Sequence, residues 1–82
     1  MNQSIPLYAL REGESAKVTG LHVGGGMRRR LQDMGLIEGT RISCTQKSPF
    51  GDPTAYAIRG AIIALRTQDA AGILVQTAPA AL

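Results

Sequence analysis

The sequence has no tryptophan, one phenylalanine and two tyrosines, so aromatic residues make up only 4% of its 82 positions. A core must therefore be built from Ile, Leu, Val, Ala and Met, and any ring left in solvent becomes informative. Cysteine is as scarce. Cys44 stands alone, which excludes an internal disulfide. Long apolar runs are missing too: "AIIAL" and "AAGILV" fall far short of the ~20 residues that a helix needs to cross a bilayer. The first residues, "MNQSIPLYAL", have neither the basic flank nor the apolar centre of a secretory signal, so the expected location is the cytoplasm.

The residues of reaction chemistry are equally sparse. His22 is the only histidine, with no nucleophile or orienting acid beside it in sequence, and no carboxylate pair is marked out by its setting. No enzyme activity is expected. His22, Cys44, Asp52 and the three methionines show no Cys-x-x-Cys or His-x-x-x-His spacing, so neither a metal site nor a cofactor is expected. The phosphate-loop pattern, Gly, four residues and Gly-Lys-Ser/Thr, is absent, which argues against independent nucleotide hydrolysis.

What is present is a chain 44% hydrophobic and 18% charged, far from the composition of disordered proteins and sufficient for one domain spanning residues 1–82. In "ESAKVTGLHV", Ala16 and Val18 alternate with Lys17 and Thr19, the period of a half-buried strand. "GGG" ends it. "MRRRLQDM" then sets Met27, Leu31 and Met34 at i, i+4 and i+7, the apolar stripe of a short helix, with both methionines read as core filler. Gly35 and Leu36 supply a Schellman ending, Gly39 a turn needing positive φ, and "TRISCTQK" a second strand with Ile42 and Cys44 facing inward. "AYAIR" and "AIIALR" are too close for anything but a tight hairpin, "TQDAAG" reads as one helical turn with Thr67 as N-cap, and "ILVQT" as the last strand before a frayed "APAAL" tail. The sum is a mainly β fold: a small barrel of about five strands, one short helix after the first strand and a helical turn before the last. Its own side chains fill such a barrel, so partners must meet loops and edges.

Two segments stand out. In "GGGMRRR" the glycines open a helix whose amide groups point outward at the positive end of the dipole, a setting that welcomes anions. Arg28, Arg29 and Arg30 admit two readings: Arg29 pairs with Asp33 while its neighbours drape over the core edge, or the three meet acidic groups of a partner. In "KSPFGDPTAY", Pro49 fixes one end of a loop around Phe50, Gly51 permits its bend and Asp52 is held extended before Pro53, so the loop is stiff and costs little ordering entropy on binding. The first expectation for Phe50 is a ring folded inward to plug one barrel end; the second is partner contact.

Taken in order, "LREGESAKVTGL", "GGGMRRRLQDMGLIEGT", "PFGDPTAYAIRG", "IIALR" and "AAGILV" resemble the segments of the ferrous iron transport protein A (FeoA) family. The pairing of "RRLQDMGLIEG" with "PFGDP" at this separation is the specific part. The resemblance implies an SH3-like barrel and a cytoplasmic, non-enzymatic accessory role in bacterial Fe(II) uptake. It also implies docking on the cytosolic GTP-binding region of the ferrous iron permease; the residues expected to bind that partner, from their own chemistry as read above, are Arg28, Arg29, Arg30 and Pro49, Phe50, Gly51, Asp52, Pro53. The protein is then peripheral to the membrane through its partner only. Related domains occur fused to iron-dependent repressors, but the 82 residues carry no helix-turn-helix pattern, so a free-standing module is expected. The alternative class is a small basic barrel binding nucleic acid; the missing interleaved aromatics place it second. Short exposed strands also allow weak self-association.

Overall fold

Alternating burial sets the frame of the computed structural model, which describes residues 3–77. The tail 78–82, expected to fray, lies outside them. The chain runs β1 (Ile5–Pro6), a 3-10 turn (Leu7–Ala9), β2 (Ser15–Leu21), α1 (Gly25–Asp33), β3 (Arg41–Lys47), β4 (Thr54–Ile58), β5 (Ala61–Leu65), α2 (Thr67–Ala70) and β6 (Ile73–Thr77). All strands belong to one antiparallel sheet in the order β1-β6-β2-β3-β4-β5. Its inward residues form a single core with Leu7, Leu31, Leu36, Ile42, Tyr56, Ile73 and Val75 at its centre. The aliphatic core expected from the scarcity of aromatics is what forms, with Tyr56 as its one buried ring.

The barrel has six strands where about five were expected. The extra one, β1, pairs Ile5 with Val75 and Pro6 with Leu74. Two residues carry no period, and a proline reads as a breaker, although an edge strand tolerates it because its missing N–H can face away from the ladder. The sheet also keeps two edges, β1 and β5, which are not joined to each other. In β2 the register slips between Val18 and Gly20, so its first half pairs with both β3 and β6 while its second half follows β6 alone. That bend lets one sheet wrap one core.

The end of α1 follows the sequence reading closely. Leu36 N–H donates to Leu31 O at 2.8 Å and Gly35 N–H to Gln32 O at 2.9 Å, the paired bonds of a Schellman motif, with Gly35 at φ +93°. Leu31 and Leu36 are both fully buried, so the stop also seals the core. Met34 departs from the expectation. The helix ends at Asp33, Met34 is its C-cap, and the side chain is 41% exposed, whereas Met27 is half-buried against the core. Spacing alone cannot show that the helix stops before its stripe is complete. The β4–β5 hairpin turns on Arg59 and Gly60, both at positive φ, as a two-residue turn of the primed type requires.

Two glycine substitutions should act in opposite directions. Gly35→Ala should cost about 1–2 kcal/mol for its left-handed backbone, and more as the new Cβ meets Arg59 Cδ at 2.6 Å. Gly26→Ala, within α1 and with open space around it, should stabilise by about 0.5–1 kcal/mol. Urea unfolding monitored by circular dichroism checks both signs.

Burial also raises two titrations. Loss of water pushes the Cys44 thiol above its ordinary 9.0, Lys47 opposing more weakly, and pushes the Tyr56 hydroxyl above 10.0. The fold therefore holds protons that the unfolded chain releases. Stability is full below these ordinary values and falls as pH rises past 9.0 and then 10.0. Thermal melts across the alkaline range should show this decline, and in Cys44→Ala its onset should move upward by about one pH unit.

Candidate functional site

The arginine segment is presented as the sequence suggests. Gly24 caps α1 in extended conformation without a side-chain bond, and its carbonyl accepts Arg28 N–H at 2.8 Å. The first turn of the nine-residue helix holds no acidic residue; Arg28 and Arg29 follow that turn and Arg30 stands in the last one, all three exposed. Arg30 leans toward a groove of about 390 Å³ that it lines with Met27, Met34, Ile63, Arg66 and Asp69, among others. Asp33 is likewise exposed.

The 48–53 loop overturns one expectation. Phe50 does not plug the barrel: its ring is 95% exposed. The reason lies in the turn and in the core. Gly51 N–H donates to Ser48 O at 2.8 Å, which closes a turn that holds Phe50 at its tip. The core closes without it, with Tyr56, Leu7 and Leu10 among its members at 1% exposure or less. Pro49, Gly51, Asp52 and Pro53 are exposed as well, and the Asp52–Pro53 bond is cis.

Both feet of the loop are tied down by side chains. At one foot Lys47 N–H donates to Glu12 Oε2 at 2.6 Å, and Lys47 Nζ reaches Tyr8 O at 3.4 Å. At the other, Asp52 Oδ1 accepts Thr67 N–H at 2.7 Å and the Thr67 hydroxyl at 3.2 Å. This corrects the expected capping of α2. Thr67 is its first helical residue, Arg66 is the N-cap with no side-chain bond, and the capping oxygen comes from Asp52 across 15 residues of sequence. A carboxylate at a helix N-terminus meets both an orphan amide and the positive end of the dipole.

The two segments meet around α2. Asp52 holds its first residue, and the groove under Arg30 has Arg66 and Asp69 on its far side. At the exit of α2, His22 N–H donates to Gly72 O at 2.6 Å, which fixes where the chain enters α1. A side chain at Gly72 would collide with the His22 backbone, so only glycine allows this approach. Glu12 and Gly72 were not singled out by sequence reasoning, and of the two only the glycine carried a local signal; Thr67 was singled out, but as the cap of α2 and not as the residue that Asp52 caps. Among the described residues, no group of three or more His, Cys, Asp or Glu side chains is placed to hold a metal ion, and no helix is long and apolar enough to cross a membrane. Exposed apolar and cationic groups of this kind are suited to binding.

Separate stability effects should follow for the two loop residues. Asp52→Ala should lower stability by about 0.5–2 kcal/mol, as for loss of a helix cap, and denaturant unfolding measures it. Phe50→Ser should stay within about 0.5 kcal/mol of the unaltered protein, since the ring touches little of the fold; a larger loss in the same assay would return it to a structural role.

The comparisons with known proteins agree with this geometry. A family model described as the FeoA domain matches residues 5–77. A curated relative from Porphyromonas gingivalis, described as an Fe(2+) transport protein A/Fe(2+) transporter FeoB fusion protein, is 34% identical over 70 residues. That match takes in 85% of this chain and 8% of the relative's length. The solution structure of the FeoA protein from Chlorobium tepidum superimposes with a TM-score of 0.88 at 31% identity, covering 95% of this chain and 74% of that one. The crystal structure of FeoA from Stenotrophomonas maltophilia, described as a procaryotic SH3 domain protein complexed with zinc, gives a TM-score of 0.73 at 26% identity, covering 92% and 88%. The sheet is thus an SH3-like barrel, and with the family model spanning nearly all of it, the chain belongs to the FeoA family, which is linked to ferrous iron transport.

Proposed function

We propose that this chain is a non-enzymatic, cytoplasmic docking module of Fe(II) uptake that binds the cytosolic GTP-binding region of a ferrous iron transporter and alters its activity or assembly. The observation that carries the reading is the fusion relative. A segment like this chain and an Fe(2+) transporter form one polypeptide there, and covalent linkage raises the effective concentration of one part at the other. The S. maltophilia protein is described in terms of ferrous iron transport activation, which fits the same role.

The surface suits docking. Phe50 is an exposed apolar ring at the tip of a loop secured at both feet, so less backbone entropy remains to be lost when it is buried. Arg28, Arg29 and Arg30 are exposed along α1 behind its open N-terminal turn and favour acidic or phosphate groups. Arginines near a phosphate can stabilise charge developing during phosphoryl transfer, which gives a physical route by which docking changes GTP turnover.

The test measures GTP hydrolysis by the transporter's cytosolic region as this chain is titrated in. Turnover should change saturably. Phe50→Ala should raise the half-maximal concentration about tenfold, as for a modest hot spot, and joint replacement of Arg28, Arg29 and Arg30 by alanine should remove the effect while the fold is retained. Unchanged turnover at every concentration would dispose of the regulatory part of the reading. Binding to RNA or DNA that weakens steeply with salt would favour a nucleic-acid role instead.

A further inference from the structure

β5 ends the sheet order, so among the described residues one of its edges has no strand beside it. Its two-residue hairpin makes Ile58 and Ala61 a mutually hydrogen-bonded pair, and the register extends this to Tyr56 with Ile63 and Thr54 with Leu65. The N–H and C=O groups of Ile62 and Ala64 therefore point away from β4. Edge strands are usually shielded by a lysine, a proline, a bulge or a short length. The "AIIAL" of β5 has no lysine or proline, pairs without a register shift along all five residues, and leaves Ile62 64% exposed.

The groove between β5 and α1 lies along this edge. Its walls are apolar where Met27, Met34 and Ile63 line it, and its rim carries Arg30 and Arg66 against one acid, Asp69. An extended strand offers alternating side chains on two faces together with a matching ladder of donors and acceptors. We propose that this groove takes an extended segment of a partner protein in which acidic and apolar residues alternate, and that the segment adds to the sheet on the free edge of β5. Main-chain bonds to Ile62 and Ala64 supply the register, and the arginine rim selects for acidic side chains. A second copy of this chain fits less well, because β5 laid on β5 brings two like-charged rims together. The inference does not depend on a transporter as partner: the chemistry of the edge defines the ligand.

The probe is a fluorescein-labelled synthetic peptide of alternating glutamate and valine, titrated with the full chain at ~50 mM salt and followed by fluorescence anisotropy. Binding should saturate, the amide signals of Ile62 and Ala64 should shift in nuclear magnetic resonance spectra, and their hydrogen exchange should slow. Ala64→Pro removes one outward N–H without touching the β4 ladder and should weaken binding about tenfold or more. Arg66→Glu should weaken the acidic peptide and improve binding of an alternating lysine and valine peptide, which the unaltered chain should not hold. Should Ala64→Pro fail to fold by circular dichroism, the Arg66→Glu exchange of preference and the slowed exchange at Ile62 and Ala64 decide the matter. No binding, equal binding of both peptides, undiminished binding by folded Ala64→Pro, or shifts confined to other strands would each overturn the proposal. So would concentration-dependent dimers, seen in sedimentation, that protect the same two amides without peptide.

Discussion

The carbonyl oxygen of Gly35 is the point on which the rest of the structure depends. It accepts the Thr40 hydroxyl at 2.9 Å and Arg59 Nε at 3.3 Å, so the end of α1, the entry to β3 and the β4–β5 hairpin converge on one atom. Thr40 is itself buried and accepts Ile37 N–H at 3.2 Å, while Val18 bonds both Gly39 and Thr40 through its backbone. A positive φ at Gly35 makes the arrangement accessible, because it turns the chain far enough for Leu36 to enter the core beside Leu31. With that end fixed, α1 is set beside β5, and the direction of the arginines and the width of the groove follow.

At its other end α1 is constrained by the close approach of His22 to Gly72, and the 48–53 loop by Asp52 on Thr67. Two segments far apart in sequence are thus referred to the same short helix, α2. The result is a rigid, exposed surface with a ring at one point and a cationic helix start at another. Such a surface loses little entropy on binding and has no enclosed set of reactive groups. Such an arrangement suits the docking role proposed for it, and the chain's family, FeoA, is linked to ferrous iron transport.

Elements whose signals sit within a few residues were legible in the sequence. The stop of α1 needed only Gly35 and Leu36, the hairpin only Gly60 between two short runs, although Arg59, read as the end of the first run, shares the turn, and the facing of β3 only the alternation about Ile42 and Cys44. What escaped depended on distant partners. Phe50 was expected inward because it is a lone phenylalanine in a chain poor in aromatics, yet its place depends on whether Tyr56, Leu7 and Leu10 already fill the core. The cap of α2 was sought in Thr67, the adjacent hydroxyl, but comes from a carboxylate on another loop. Met34 kept the helical spacing one residue beyond the helix, and β1 was too short to show a period.

The central claim is that one surface, bounded by the start of α1 and the 48–53 loop, meets the transporter. Nuclear magnetic resonance spectra of the isotopically labelled chain, recorded as the transporter's unlabelled cytosolic GTP-binding region is added, test it most directly. Shifts and broadening should concentrate on residues 24–30 and 48–53, with β2 and β6 undisturbed. Unchanged spectra at saturating concentration, or a footprint on the β2–β6 side, would contradict it.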